Sequence, residues 1–422
     1  MAREMGHPSD VNGILVLYHF IPPYAETVVE HALAFERHSR FPVWSVNTRD
    51  RFPAALRDFR FRVIVLHYSL FGGPSYQLDE AYLAYLDASE DSLRVAFFQD
   101  EHYHTAQRFA FIDRYRVDWV YTLLQPDAAH DVYDSRTHAP RLLTTIPGYV
   151  GDDLLHHAAA FARPESERTV DVGYRARSLG FAAGRGGQEK VEIGQRFAAA
   201  AEGLDLHLDI ATGEQDRLYG EAWYRFLGSC RAVLGVEAGV SIFDFGDQAS
   251  RATDALLAHE PDLEFDEVWR RVLEPWEDNV PYRTISPRHF EAAAFETCQI
   301  LFEGSYSGLM EAGTHYIPLR KDFANFDEVI REFRDPDARG RIVAAARRDL
   351  VDSGRHSYAA FVSGFDMELE RAAVLDPTPR QRSVDRALAR GAGIRRAESR
   401  LRTRYWRMRQ AVRRSLARTG QR

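Results

Sequence analysis

The sequence predicts an α/β protein with two doubly wound domains facing a cleft, followed by an arginine-rich helical tail. Three observations carry this reading. Short apolar runs alternate with helical stretches over 13–150, and the alternation restarts at Thr169 after a segment without strand pattern. Beyond Pro377-Thr378-Pro379 the composition turns to arginine. A chain of 422 residues with 45% hydrophobic content can bury two cores of ordinary size.

In the first domain, 1–150, strands are expected at Gly13–Tyr18, Phe41–Val46, Val63–His67, Arg94–Gln99, Asp118–Leu123 and Arg141–Ile146. Helices are expected at Thr27–Arg37, Leu78–Ala88 and Thr105–Asp113. Ligands of such sheets sit beyond the carboxyl ends of the strands. Two such ends are chemically loaded: the loop Tyr18 to Thr27, and Gln99-Asp100-Glu101-His102-Tyr103-His104. Asp100, Glu101 and His102 can supply a base, an acid or a hydroxyl clamp, the alternative being a polar turn in which Asp100 caps the next helix. A His-x-His metal pair, His102 and His104, lacks a third ligand.

Residues 151–168 read as a linker and 169–376 as the second domain. Thr169–Arg177 is its first strand, Gly184-Arg185-Gly186-Gly187 a flexible stretch, and a helix follows from about Gln188. Further strands are Leu204–Ala211 and Arg231–Val236, with a helix over Glu221–Leu227 between them and a helical insert at 246–282. Three helices close the domain at Glu328–Phe333, Ala338–Asp352 and His356–Ala373. The tail, 377–422, carries a stripe of Ile394, Ala397, Leu401, Tyr405, Met408, Val412 and Leu416 on an arginine-rich cylinder. Such a helix can lie on anionic membrane, pack on a partner, or fray.

Only two cysteines, Cys230 and Cys298, argue against a disulfide framework. The polar start and the short run Ile14–Phe20 give no signal peptide, and no apolar run approaches a membrane span, so a cytoplasmic protein is expected. The net charge of −8 hides an asymmetry: 380–422 hold fifteen arginines against Asp385 and Glu398, a local +13 that leaves −21 elsewhere. Nucleic acid is not the expected partner, since nothing else in the chain is basic or motif-bearing. Of 54 basic residues only Lys190 and Lys321 are lysines.

The stretch Ser286-Pro287-Arg288-His289-Phe290-Glu291-Ala292-Ala293-Ala294 has a good N-cap and a proline suited to the first helical position. A helix N-terminus suits a phosphate, and Arg288 in the first turn favours an anion there. Glu291 follows on the same face, able to accept from ribose hydroxyls. The apolar run Ile300–Phe302 then reads as a buried strand ending at Gly304. The alternative is a capped surface helix before a core strand.

Arg288-x-Phe290-Glu291-Ala292-Ala293-Ala294, Leu301-Phe302-Glu303-Gly304, Tyr306-Ser307-Gly308-Leu309 and His315-Tyr316-Ile317-Pro318-Leu319 together resemble GT-B glycosyltransferases. The nearest branch is group 1 and its CgeB-like (spore maturation type) relatives. The resemblance spans roughly 165–370 and is weaker over 10–150. It implies two Rossmann-like domains and a nucleotide-sugar donor as co-substrate, with no further cofactor and no metal. It implies that Glu291 holds the donor ribose, that Arg175 or Arg177 with Lys190 neutralises the diphosphate, and that Arg288, Tyr306 and Ser307 belong to the same site. Its first sugar-binding glutamate should lie eight positions before Glu291, where Arg283 stands; Glu237 or Asp244 takes that role instead. The resemblance also implies a residue of the Asp100–His102 loop beside the reacting sugar. The expected activity is retaining, metal-independent glycosyl transfer to a hydroxyl of a glycan, lipid-linked, protein or small-molecule acceptor, in a bacterial setting such as cell-surface glycan synthesis. The alternatives are a nucleotide-sugar epimerase on the same scaffold and a non-catalytic relative that binds a nucleotide sugar or a partner.

Overall fold

The computed structural model describes residues 8–22 and 26–389. Six strands form the first sheet: β1 (Ser9–Tyr18), β2 (Val43–Asn47), β3 (Phe59–Leu66), β4 (Leu93–Phe97), β5 (Trp119–Thr122) and β6 (Arg141–Thr144). Their order is β2-β1-β3-β4-β5-β6, with every pair parallel. Parallel strands need crossovers, supplied here by α1 (Glu26–His38), α2 (Glu80–Asp87), α3 (Thr105–Arg114) and α4 (Pro126–Tyr133). Both faces are covered, which is why β1 reads as unbroken apolar sequence over Ile14–Leu17. Ile14 and Val16 face one core with Phe35 and Val65, while Leu15 and Leu17 face another with Ile64 and Leu66.

The second half begins with α5 (Asp152–Phe161), inside the stretch expected as a linker. It continues through β7 (Val170–Arg175), α6 (Gly184–Ala200), β8 (Leu208–Ala211), α7 (Glu221–Ser229) and β9 (Cys230–Gly235). Next come β10 (Ala238–Val240), α8 (Gln248–His259), α9 (Phe265–Val268), β11 (Tyr282–Thr284), α10 (Pro287–Ala294), β12 (Cys298–Phe302) and β13 (Ile317–Leu319). The helices α11 (Phe326–Arg334), α12 (Pro336–Ala346) and α13 (Tyr358–Arg371) follow. The second sheet is parallel in the order β13-β12-β9-β7-β8, so the architecture is α/β with two doubly wound, Rossmann-like sheets.

The chain crosses back near its end. Val150 and Ser357 form a bridge, and α13 then packs Val362 and Phe365 against Phe35 and Phe97 of the first sheet's core. Buried Asp366 on α13 accepts from Ser39 Oγ at 2.8 Å and Arg40 N at 2.9 Å, which ties α13 to the end of α1.

The helical insert is framed by a two-stranded antiparallel ribbon, β10 with β11. Its own small core is Ile242, Ala249, Val268 and Leu273, but Val240, Phe243, Val280 and Tyr282 bury themselves in the first sheet's core. The insert therefore belongs to one half by sequence and packs on both.

One local expectation is overturned. Gly184-Arg185-Gly186-Gly187 is not a flexible loop but the first turn of α6. A Cβ on Gly186 would lie 2.2 Å from the Arg283 guanidinium, and one on Gly187 2.4 Å from Ala183 Cβ. The glycines let the helix start approach the ribbon closely, a packing use rather than a mobility use.

Residues 382–389 are helical and begin the tail. Val384 is fully buried in the first sheet's core, and Trp44 Nε1 donates to Asp385 at 2.9 Å. The stripe from Ile394 to Leu416 lies outside the described residues, as does Pro23-Tyr24-Ala25 of the first strand-end loop. No described helix is long and apolar enough to cross a membrane.

Candidate functional site

The carboxyl ends of the two sheets meet at a cleft of about 490 Å³. The loop after β4 supplies Asp100, His102, Tyr103 and His104 to one wall, and Arg175, Arg177, Lys190, Trp223, Ser286, Arg288 and His289 line the other.

The first wall is a strained loop held from behind. Asp100 and His104 both adopt left-handed backbone, at φ 50° and 52°. For non-glycine residues that costs on the order of 1 kcal/mol each. Arg108 on α3 offsets it by donating to the carbonyls of Glu101 at 2.5 Å and Tyr103 at 3.0 Å, with its guanidinium 5.0 Å from the Phe98 ring centre. The insert locks the loop from the other side: His104 N donates to Asp247 Oδ1 at 2.9 Å and Asp244 N to the His102 carbonyl at 2.9 Å.

The three acid–base candidates take different places. The Asp100 side chain is exposed, lines the cleft and makes no hydrogen bond among the described residues. Glu101 does not line the cleft. Its carboxylate is fully buried and accepts from Thr122 Oγ1, from Leu123 N at 2.8 Å and from Tyr133 Oη, a structural knot between β5 and α4. Burial raises its pKa while those bonds oppose the rise. His102 is 3% exposed, faces the cleft, and neither ring nitrogen has a hydrogen-bond partner among the described residues. Burial, with Arg108 and Lys190 adding to it, pushes its pKa down to about 3, so the ring is neutral at pH 7.

The second wall is cationic. Arg175, at the end of β7, is spent on its own sheet: it donates to the Asp209 carbonyl at 2.8 Å and Asp209 Oδ1 at 2.7 Å and stacks over Phe226. Arg177 is exposed, and Lys190 projects half-buried from the second turn of α6; neither makes an ion pair or side-chain hydrogen bond among the described residues. Burial lowers the Lys190 pKa, Asp100 across the cleft opposes that, and Arg288, Arg177 and Arg283 add to it. Lys321, the other lysine, bridges to Glu189 at 2.8 Å beside Arg283 and does not line the cleft.

The cleft-facing end of α10 is built as its sequence suggests. Ser286 Oγ accepts from Arg288 N, and Ser286 N donates to His289 Nδ1 at 3.0 Å, closing a capping box. His289 therefore carries its proton on Nε2; the ring is buried, and burial pushes its pKa down to about 3. Arg288 donates to the Arg175 carbonyl and lies over Trp223, 4.9 Å from the ring centre.

The remaining expected site residues do not line the cleft. Glu237 accepts from Ser305 N at 3.1 Å, Ser305 Oγ at 3.0 Å and Tyr306 N at 2.8 Å, shaping the loop after β12. Asp244 caps α8, accepting from Ala249 N at 2.8 Å and Ser250 N at 2.9 Å. Tyr306 is buried with its hydroxyl on the Phe302 carbonyl, and Ser307 Oγ sits 2.8 Å from Thr284 Oγ1. Glu291 is 8% exposed, and Trp223 Nε1 donates to its Oε2 at 2.8 Å. Sequence reasoning missed Arg108, Trp223 and His289. The capping-box spacing from Ser286 could have found His289, but Trp223 stands 68 positions from Glu291 and gave no signal.

No protein-family model matches the chain, and no curated protein matches it. Among solved structures, it aligns with an α-glucosyltransferase in complex with UDP and a 13-mer DNA containing an HMU base. That alignment has 10% identity over 84% of this chain and 98% of that one, with a TM-score of 0.48. It also aligns with Anabaena Alr3699/HepE in complex with UDP-glucose, at 10% identity over 85% and 99% of the two chains and a TM-score of 0.46. TarM aligns at 10% identity over 79% of this chain with a TM-score of 0.40, and there the chain spans 57% of the solved structure's length.

Proposed function

We propose that this chain is a GT-B glycosyltransferase that moves a sugar from a nucleotide donor to an acceptor hydroxyl. The observation that carries the proposal is a cleft at the carboxyl ends of two parallel sheets in which Lys190 and Arg177, beside the N-terminus of α10, make no ion pair among the described residues. A half-buried ammonium without an ion-pair partner, as at Lys190, is costly unless an anion joins it, and a diphosphate fits that deficit with Arg177 beside it. The motif from Arg288 to Leu319 supports the same reading through its resemblance to GT-B enzymes, group 1 and CgeB-like. Alignments to enzymes solved with UDP or UDP-glucose are in keeping with it.

In this reading the domains are 1–150 on the acceptor side and 169–376 on the donor side. Lys190, Arg177 and the positive end of the α10 dipole stabilise the departing nucleoside diphosphate. Neutral His102 takes a sugar hydroxyl, and Asp100 faces the acceptor. Retention follows if the donor phosphate itself deprotonates the acceptor on the same face, which needs neither a protein nucleophile nor a metal. The acceptor is a glycan, lipid-linked, protein or small-molecule hydroxyl, with cell-surface glycan synthesis the expected setting. The 380–422 tail then serves as a peripheral contact with the inner face of the membrane. The non-catalytic alternative draws on Glu237 and Asp244, whose carboxylates are occupied by protein amides.

Thermal-shift binding against UDP-, GDP-, ADP-, dTDP- and CMP-sugars, with and without Mg²⁺, tests the proposal. Stabilisation by one nucleotide family without metal, followed by acceptor-dependent release of the nucleoside diphosphate, is the expected result. Donor binding without turnover would transfer the assignment to the non-catalytic alternative, and no shift with any donor would overturn the donor site.

A further inference from the structure

The chain passes from the first half to the second through residues 148–151, and this run is pinned on both sides. Pro287 at the start of α10 packs on Gly148, where a Cβ would meet it at 2.9 Å. Glu30 of α1 packs on Gly151, where a Cβ would lie 1.7 Å from its Oε1. Only a glycine lets a carboxyl group lie this close to the backbone. Between the two contacts Tyr149 stacks on Phe361, with ring centres 4.5 Å apart. Val150 pairs with the returning chain: its N donates to the His356 carbonyl at 2.8 Å, and its carbonyl accepts from Tyr358 N at 3.1 Å.

Glu30 is ill suited to that place as an anion. It is 8% exposed, and Oε1 has no hydrogen-bond partner among the described residues. On its own helix His31 is buried and neutral, bonded to His67 at 3.1 Å, and exposed Arg37 is drawn to Asp153 at 3.4 Å. The first turn of α5 faces it with Asp152 and Asp153. Tyr68 after β3 and Tyr358 of α13 stay neutral, their pKa values raised by burial. Burial pushes the Glu30 pKa up to about 7, Asp153 and Asp152 add to the rise, and Arg37 and the Asp153 amide oppose it.

We infer that Glu30 is a pH-sensitive latch on the crossing between the two halves, closed while its carboxyl is neutral and released when it is charged. A neutral carboxyl tolerates an unpaired oxygen against the Gly151 backbone far better than a carboxylate does. The charged form gains water only by lifting off the crossing, which loosens the Val150 bridge to the returning chain. The folded chain holds this proton more tightly than an unfolded one. The latch is therefore fully closed below glutamate's ordinary value and is lost as pH rises through about 7.

Hydrogen exchange of the Val150 and Tyr358 amides in the full chain, without ligand, tests the latch, with protection taken relative to an unfolded chain at each pH. From about pH 6 to about pH 8 wild-type protection should fall about tenfold, the change expected when one group titrates midway between them. Glu30→Gln, neutral and of the same shape, should hold protection constant over that range. Flat wild-type protection, or a Glu30→Gln slope like that of the wild type, overturns the inference. Two exposed neighbours keep the test open should Glu30→Gln fold poorly. Arg37→Gln should move the fall to higher pH and Asp153→Asn should move it to lower pH, and midpoints that fail to separate in that order overturn the latch.

Discussion

Two helix N-termini in the second half, those of α6 and α10, stand close to the cleft, and the structure treats them in opposite ways. The glycine-rich start of α6 is stoppered. Glu277 of the insert accepts from Arg185 N at 3.2 Å, Ser241 Oγ accepts from Gly186 N at 2.8 Å, and none of Gly184 to Gly187 lines the cleft. The start of α10 is capped only by its own Ser286 and opens on the cleft together with Arg288. The lesson is that glycines at a helix start do not by themselves make an anion site: other segments claim those amides at α6, whereas the start of α10 brings an arginine to the cleft. What α6 gives the cleft is Lys190, two turns in.

The largest test of this contrast is Lys190→Ala. Nucleoside diphosphate affinity should fall about 30- to 100-fold, about 2–3 kcal/mol for a lost charge-assisted bond, without loss of melting temperature. Unchanged affinity by calorimetry would return the phosphate to the helix start. Next is Gly186→Ala, whose Cβ would meet the Arg283 guanidinium and disturb its pair with Glu189 at 3.0 Å. It should cost about 1–3 kcal/mol in denaturant unfolding, whereas a truly mobile loop would gain from the alanine.

Glu277→Ala removes the acceptor for Arg185 N and for Trp269 Nε1, and should cost about 1–2 kcal/mol while leaving nucleotide affinity unchanged. Ser286→Ala should cost about 1 kcal/mol of stability and also weaken nucleotide binding, because its helix end lines the site. If the two variants behaved alike in binding, the contrast would be broken.

The smallest effect is a pH slope. Burial lowers the Lys190 pKa in the folded chain, so the unfolded chain holds that proton more tightly. Stability should therefore rise with pH between the lowered value and lysine's usual one, and Lys190→Met should flatten that part of the curve. Bound diphosphate should reverse the sign by favouring the charged ammonium.

The fold was legible because its signals are local. The strands of the first sheet are bounded runs such as Val63–Leu66, and each expected strand overlaps an observed one. α4 escaped because it is short and starts at Pro126 with no side-chain cap from Gln125. The site was legible only in part, for a different reason. Asp100, His102, Arg175, Arg177, Lys190 and Arg288 all line the cleft, since strand ends and helix starts put them there. Whether a carboxylate there is available depends on partners far along the chain. Glu101 is claimed by Thr122 and Tyr133, and Glu237 by Ser305 and Tyr306. No spacing rule foresees those choices. The same applies to Gly186, whose neighbour Arg283 lies about a hundred positions later.

The ribbon has a mechanical consequence. Tyr282 Oη accepts from Glu101 N at 3.3 Å on the first wall, while the next residue, Arg283, grips Glu189 on α6 beside Lys190. Two adjacent residues thus clasp both walls, in addition to the backbone crossing at Val150 and Ser357. A free hinge at that crossing would tear the clasp, so any parting of the walls must pivot about Tyr282 and Arg283 or break their bonds. A torque applied to the insert would then be felt at the His102 loop and at the lysine together, which makes this ribbon the natural place for a binder raised against the protein to hold the cleft in one posture.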